Sequence, residues 1–353
     1  MSRFFSGKHR SLTPYTPDDQ PRDMEYINLD SNESPFPPPA EVSRAVADTA
    51  SKLHLYPDSD LSALKCALAE KYGVGTDEII VTSGSDEALN LAFMAFCDVS
   101  RSAAFPDITY ESYPVFAKIN GVPYEEVPLR DDFTVNISDY LGIGKTIFLA
   151  NPNTPTGLSL HRSVIERVIA SNPDNVVVVD EAYADFGAES CVPLIHKYDN
   201  LLVTRTFSNS RSMAGARLGF GIGCRELITD LETLRRSINH SIDRMTEAAG
   251  ICSLRCDGEA EANCRAIIKT REYTKERLYD LGFEMTDSAA NFVFVKHPKV
   301  GGAELYTLLK ARGILVRHFD RERIRDYNRI TIGSKDQMDA LIDVMKEILS
   351  ARI

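Results

Sequence analysis

An acidic side chain stands at the end of a run of residues typical of a buried strand. Val176 to Val179 are four consecutive β-branched residues; Asp180 follows directly and Tyr183 comes three residues later. The run predicts a strand buried on both faces, and a carboxylate at its end is costly to bury unless it meets a cation. One such cation is the protonated ring nitrogen of a bound cofactor. The alternatives are a helix cap and a structural ion pair.

Two further segments have the composition of anion-binding loops. Thr82–Glu87 follows a predicted strand and opens a predicted helix with Ser85 and Asp86, so that backbone N–H groups and a hydroxyl are available to an anion. An ordinary N-cap by Ser85 explains the same pattern. The loop after Thr204 is rich in hydroxyl groups and ends at Arg217, a composition that suits a dianionic phosphate. A polar surface loop is the alternative there.

Amide and guanidinium groups follow other predicted strands. Asn151–Gly157 reads NPNTPTG, a tight turn that presents amide side chains at the carboxyl end of a strand. Ligands of open α/β sheets bind at that edge, although a plain turn would look the same. Arg317 and Arg329 each lie beside a late strand and together can bind a carboxylate or a phosphate. Surface ion pairing is the alternative for both arginines.

The elements that must position these groups form two different patterns. Between about residues 79 and 223, short apolar strands alternate with helices, which predicts an α/β unit with a mostly parallel sheet. From about residue 230, long helices, three strands and a last amphipathic helix predict a smaller α+β unit. We therefore expect an N-terminal arm over residues 1–39, a large domain over 40–235 and a small C-terminal domain over 236–353.

The composition argues against several classes of protein. The 353 residues include 40 Lys and Arg against 51 Asp and Glu, and a net charge of -11 disfavours a general nucleic-acid binder. No apolar run approaches the roughly 20 residues of a membrane span, and we expect no secretory signal. The seven cysteines are odd in number and contain no CxxC, so we expect reduced thiols, no metal site and a cytoplasmic protein.

In chain order, these segments resemble fold-type I, pyridoxal-phosphate-dependent aminotransferases, and among them histidinol-phosphate aminotransferases. Each motif is modestly specific, but the ordered set is highly specific and covers residues 12–345. The set consists of LTPY (12–15), LDSNESP (29–35), YPD (56–58), GSDE (84–87), TY (109–110), NPNTPTG (151–157), DEAYADF (180–186), TFS (206–208), AGARLGF (214–220) and two late arginines.

The resemblance implies pyridoxal 5'-phosphate as cofactor and a role for each site residue. Asp180 would pair with the protonated pyridine nitrogen, while Tyr183 and Asn153 would contact the ring 3-oxygen. Tyr110 would stack on the ring. The cofactor phosphate would be held by Ser85, Asp86 through its backbone N–H, Ser208, Arg217 and, from the neighbouring subunit, Tyr56. The substrate carboxylate and phosphate would be bound by Arg317 and Arg329, in an order left open, helped by Tyr15 and Asn32.

The implied reaction is transamination of histidinol phosphate, a small-molecule amino donor, with 2-oxoglutarate, the 2-oxo acid acceptor, in histidine biosynthesis. The implied assembly is a homodimer, because Tyr56 would reach across to the neighbouring cofactor. A related pyridoxal-phosphate lyase, such as a threonine-phosphate decarboxylase, is the alternative within the fold.

One position departs from the resemblance. The family pattern is TFSK, whose lysine forms the Schiff base with the cofactor, and this chain has Asn209 there. Arg217 keeps the family spacing eight residues later, and no lysine lies between Lys197 and Lys269. An amide is neither a nucleophile nor a proton shuttle, so we expect little activity. Deliberate replacement, accidental or natural substitution, and a non-catalytic pseudoenzyme that binds the cofactor or a metabolite all remain open.

Overall fold

The computed structural model describes residues 2–9, 12, 24–238 and 242–351. The strands in this part of the chain are β1 (Ile27–Leu29), β2 (Ile79–Ser83), β3 (Ala103–Pro106), β4 (Tyr124–Val127), β5 (Thr146–Ala150), β6 (Val177–Asp180), β7 (Leu201–Thr206), β8 (Leu218–Gly223), β9 (Glu284–Met285), β10 (Phe292–Lys296), β11 (Ile314–His318) and β12 (Asn328–Thr331). The α-helices there are α1 (Ala40–Ala50), α2 (Ser62–Tyr72), α3 (Ser85–Phe96), α4 (Ser112–Asn120), α5 (Arg162–Ser171), α6 (Arg225–Ile238), α7 (Arg244–Arg255), α8 (Asp257–Asp280), α9 (Gly302–Lys310) and α10 (Lys335–Ser350). None of these helices is both long enough and apolar enough to cross a membrane.

The larger sheet has seven strands in the order β2-β8-β7-β6-β5-β3-β4. All neighbouring pairs are parallel except those of β8, which runs antiparallel to β2 and β7. Helices cover both faces: Val177 and Val179 pack on the side of α2, α5 and α7, whereas Val178 packs on the side of α3, α4 and α6. The unbroken apolar run before Asp180 follows from this two-sided burial, and the prediction of a mainly parallel sheet is confirmed.

The smaller sheet has the order β1-β11-β12-β10-β9 and is antiparallel apart from its first pair. Strand β1 lies within the segment expected to be an arm, and it pairs in parallel with β11 through Ile27 and Ile314. Helix α7 lies beyond residue 235 but packs against α1 and α2 beside the larger sheet. Strand β1, from the expected arm, therefore belongs to the smaller sheet, and α7, from the expected small domain, packs beside the larger sheet. The domain boundaries stay predictions.

A small apolar cluster joins the two sheets close to the end of β3. Its buried members are Ile108, Leu129, Phe133, Phe294, Phe319 and Ile324. Beside it, an Arg323 guanidinium nitrogen lies 2.7 Å from a carboxylate oxygen of Asp107. The cluster includes Phe294 of β10 and Phe319 directly after β11, so it packs this part of the smaller sheet against the segment that follows β3 of the larger one.

Candidate active site

The carboxyl ends of β5, β6 and β7 meet at one edge of the larger sheet. Asp180 ends β6, and its register partners are Ala150 on β5 and Thr204 on β7. The loop after β5 is hydrogen-bonded to the end of β6, because the backbone N–H of Asn151 donates to the carbonyl oxygen of Asp180 at 2.8 Å. Parallel pairing in register therefore brings together three segments that are far apart in the sequence.

The Asp180 carboxylate is buried among neutral donors. It accepts hydrogen bonds from the Thr204 hydroxyl and the Ala182 backbone N–H, both at 3.2 Å, and from the Tyr113 hydroxyl at 3.3 Å. Burial is the main cause that raises the pKa of Asp180 to about 7, because these donors replace only part of the lost hydration. Among the described residues, no Lys or Arg side chain forms an ion pair with it. Neither the Thr204 nor the Tyr113 hydroxyl was predicted from the sequence as a donor to Asp180.

Tyr183 connects this edge to the N-terminal segment. Its hydroxyl oxygen accepts a hydrogen bond from the Asn32 side-chain nitrogen at 2.9 Å, and its ring meets Phe292 edge-on. Asn32 is itself held by the Thr331 hydroxyl, which accepts from its backbone N–H at 2.9 Å. Burial raises the pKa of Tyr183, with Arg329 opposing the shift, so the phenol stays protonated near neutral pH.

The start of α3 lies against β8 in a close backbone contact. A Cβ added at Gly219 would lie 2.3 Å from the Gly84 carbonyl carbon and the Ser85 backbone nitrogen. Gly84 has φ +78°, and a Cβ there would lie 2.8 Å from an Arg217 guanidinium nitrogen. The two glycines therefore let Arg217 approach the N–H groups at the helix start, where an anion is favoured.

Asp86 holds two other predicted cofactor residues at this helix start. Its carboxylate accepts from the Tyr110 hydroxyl at 2.6 Å and lies 3.1 Å from an Arg217 guanidinium nitrogen. Burial, followed by the Asp86 charge, raises the pKa of Tyr110 well above its ordinary value. Ser208 remains within its own turn, where its hydroxyl accepts from the Thr206 hydroxyl at 2.9 Å.

Asn209 lies in the turn after β7, beside the segment that follows Asp180. It is 8% exposed, and its Nδ2 donates to the carbonyl oxygen of Ala182 at 3.1 Å. Ala182 follows Asp180 by two residues and also donates its N–H to that carboxylate. The position where the resemblance places a lysine is therefore adjacent to the buried acid.

Asn153 uses both amide hydrogens inside the protein. Its Nδ2 donates to the Ile108 carbonyl oxygen at 2.9 Å and to the Thr156 hydroxyl at 3.1 Å, while its Oδ1 accepts from the Thr109 hydroxyl at 2.7 Å. The side chain thus joins the loops after β3 and β5. Its contact with a cofactor ring oxygen stays a prediction.

The two late arginines lie opposite each other on β11 and β12. Arg317 and Arg329 are register partners, and their guanidinium carbons lie 5.7 Å and 5.9 Å from the Phe319 ring centre. An Arg317 nitrogen is 3.2 Å from a Glu111 carboxylate oxygen. Arg329 donates to the Asp30 carbonyl oxygen at 2.5 Å, and its Nε is buried without a hydrogen-bond partner among the described residues.

The structure places one predicted residue away from this edge and does not describe another. Tyr56 is 93% exposed on the segment between α1 and α2, as a residue that serves a neighbouring subunit would be, and that role stays a prediction. Tyr15 lies outside the described residues.

Comparison with known proteins places these features in a family. The family described as aminotransferase class I and II matches residues 24–345. Histidinol-phosphate aminotransferase of Brachyspira hyodysenteriae is 44% identical over 99% of both chains, and that of Chromohalobacter salexigens is 46% identical over 99% of both. The solved histidinol-phosphate aminotransferase of Sinorhizobium meliloti, in complex with pyridoxal-5'-phosphate, has a TM-score of 0.90 at 22% identity, covering 100% of this chain and 99% of that one.

The structural likeness confirms the predicted fold-type I architecture, and the sequence matches extend over the whole of it. The matched range includes Asn32 at one end and Arg329 at the other, together with every predicted site residue that the structure brings to the sheet edge. On these grounds the chain belongs to the class I and II aminotransferase family.

Proposed function

We propose that this chain is a histidinol-phosphate transaminase in its binding properties, with slow turnover because Asn209 replaces the lysine that the resemblance implies. The observation that carries the proposal is the buried Asp180 carboxylate, which lacks a cationic partner among the described residues and lies beside Tyr183 and Asn209. The choice of histidinol phosphate as substrate is supported by relatives named histidinol-phosphate aminotransferases, at 44% and 46% identity.

The residues at the sheet edge fit pyridoxal 5'-phosphate. A buried carboxylate whose pKa is raised to about 7 suits the protonated nitrogen of a pyridine ring. The backbone contact at Gly219 leaves the N–H groups of α3 beside Arg217, which suits a phosphate dianion. Both features would be unfavourable in a site that bound an apolar ligand.

Each group in the proposal has a definite task. Asp180 holds the ring nitrogen, Tyr183 donates to the ring 3-oxygen, and Tyr110 covers the ring face. The phosphate is held by Ser85, the N–H of Asp86, Ser208 and Arg217, and by Tyr56 of a second subunit in a homodimer. When bound, this cofactor supplies an electron-withdrawing ring that carries the amino group from donor to acceptor.

The donor and acceptor bind on the side of the smaller sheet. Arg317 and Arg329 supply two cations for the phosphate of histidinol phosphate and the carboxylates of 2-oxoglutarate. Asn32 orients Tyr183 and closes the site beside Arg329. The seven cysteines are free thiols, which supports a reducing, cytoplasmic setting.

Asn209 sets the rate in this proposal. A primary amide is too weakly basic to accept a proton at neutral pH, so the proton on the donor's α-carbon has no base at residue 209. Loss of a general base alone slows such reactions by about 10²- to 10⁴-fold. The protein should therefore bind its ligands with an intact pocket and turn over slowly.

The test is to restore the amine. Glutamate formation from histidinol phosphate and 2-oxoglutarate should rise at least about 10²-fold in Asn209→Lys relative to the unaltered protein. Asn209→Gln is the matched control, because it lengthens the side chain without adding an amine, and it should stay slow. If Asn209→Lys binds pyridoxal 5'-phosphate and still forms no glutamate, the transaminase proposal fails. Release of carbon dioxide from threonine phosphate instead would identify a lyase.

A further inference from the structure

We infer that Asn209 makes this site hold the amine form of the cofactor, pyridoxamine 5'-phosphate, in preference to the aldehyde form, pyridoxal 5'-phosphate. The inference rests on the proposed function, because it takes the cofactor ring to lie on Asp180. The hydrogen bonding of the Asn209 side chain determines which of the two chemical forms the site retains.

The orientation of the Asn209 amide is determined by its neighbour. The carbonyl oxygen of Ala182 can only accept a hydrogen bond, so the group 3.1 Å from it must be the Nδ2 of Asn209 and not the Oδ1. Among the described residues the Oδ1 of Asn209 has no hydrogen-bond partner, although the side chain is 8% exposed. Asn209 therefore carries an unused acceptor on the turn beside Ala182, two residues after the buried acid.

The two cofactor forms differ at the group that an acceptor can recognise. A protonated amine is a donor with a positive charge, whereas an aldehyde oxygen is only an acceptor and would face the Asn209 Oδ1 without a hydrogen between them. A hydrogen bond from a charged donor is roughly twice as strong as one between neutral groups. The unused acceptor therefore favours the amine form.

The missing covalent link affects only one of the two forms. A lysine at residue 209 would bond to the aldehyde and would gain nothing of that kind from the amine, which has no carbonyl carbon to attack. Asparagine in its place removes the covalent contribution to aldehyde binding and leaves amine binding intact. Both the loss and the new hydrogen bond shift the preference towards pyridoxamine 5'-phosphate.

The inference is tested by binding and not by turnover. Full-length protein freed of cofactor is titrated by equilibrium dialysis with pyridoxamine 5'-phosphate and, separately, with pyridoxal 5'-phosphate. We expect the amine form to bind roughly tenfold or more tightly, as a hydrogen bond to a charged group implies. Asn209→Leu, of similar size, has no acceptor and should remove this preference.

The outcomes separate the inference from the function on which it rests. Equal affinity of the unaltered protein for the two forms, or a preference that persists in Asn209→Leu, overturns the inference and leaves the function standing. If neither form binds to the folded protein, the proposed function itself fails. Should Asn209→Leu fail to fold, Asn209→Ala removes the same acceptor, and a preference that persists there overturns the inference.

Discussion

Neutralising Asp180 should stabilise the cofactor-free protein and weaken its binding of pyridoxal 5'-phosphate. Asp180→Asn keeps the size of the side chain and an oxygen that can accept from Thr204 and Ala182. What it removes is a carboxylate that burial makes difficult to ionise, with neutral donors around it. Most substitutions of buried polar residues destabilise a protein, so a gain in stability would be informative.

The size of the effect follows from the pKa of Asp180, about 7 in the folded chain against an ordinary value of 3.8. Each tenfold difference in proton affinity corresponds to about 1.4 kcal/mol. Below pH 3.8 the acid is protonated in both states and imposes no penalty. The penalty grows as the pH rises and is complete above about pH 7, where it reaches about 4 kcal/mol; at about pH 5.5 it is about 2 kcal/mol.

Urea denaturation of the cofactor-free protein at about pH 5.5 and about pH 8 measures this difference. The gain in unfolding free energy of Asp180→Asn over the unaltered protein should be larger at the higher pH by about 2 kcal/mol. Glu232→Gln is the contrasting control: that carboxylate is also buried, but it lies 2.6 Å from the Lys65 ammonium nitrogen and its pKa is lowered despite burial, so its neutralisation should destabilise. The affinity of Asp180→Asn for pyridoxal 5'-phosphate should fall by about 30-fold or more. A gain that is independent of pH, or that shrinks as the pH rises, would refute the account of Asp180.

Three other substitutions have expected outcomes that are measured more simply. Glu111→Gln removes the carboxylate 3.2 Å from Arg317, so histidinol phosphate should bind about two- to fivefold more tightly in a dialysis titration; weaker binding would contradict competition. Gly219→Ala places a Cβ 2.3 Å from the Gly84 backbone, so urea denaturation should show a loss of about 1–3 kcal/mol, and an unchanged midpoint would exclude the tight contact. Tyr56→Phe alters an exposed residue, so stability should change by less than about 0.5 kcal/mol; cofactor affinity should fall only in protein that sediments as a dimer.

The sequence was sufficient to locate Asp180 because the reasons for its position are local. Four β-branched residues predict a strand buried on both faces, and Val178 does pack on the opposite side from Val177 and Val179. The strand ends where the apolar run ends, so the acid that follows must emerge at the carboxyl edge. The approach of Arg217 to the start of α3 was implied by the resemblance and not by a local pattern, and it follows from the pairing of β8 with β2.

The partners of these residues were harder to predict, because they depend on register between distant segments. Thr204 reaches Asp180 only because β6 and β7 pair with those residues opposite each other. Asn32 reaches Tyr183 through β1, whose three residues were too few to distinguish a strand from an extended arm. Tyr113 lies three residues after Tyr110 at the start of α4, and this spacing is the signal in the sequence for a second phenol near Asp180.

The arrangement of the two arginines explains why this site needs both sheets. Like charges directly opposite each other on paired strands are unfavourable, yet Arg317 and Arg329 occupy such positions. The Phe319 ring lies near both, and Glu111 from the other unit neutralises one of them. Arg329 also donates to the Asp30 carbonyl oxygen at 2.5 Å, whereas the Glu111 carboxylate beside Arg317 is half-exposed, so an incoming anion can replace it without leaving a buried charge unpaired. The contact with Glu111 is therefore one that a substrate anion can exchange, whereas the buried acid on the larger sheet has no Lys or Arg ion-pair partner in the described part of the chain, and in the proposed function the cofactor ring supplies its cation.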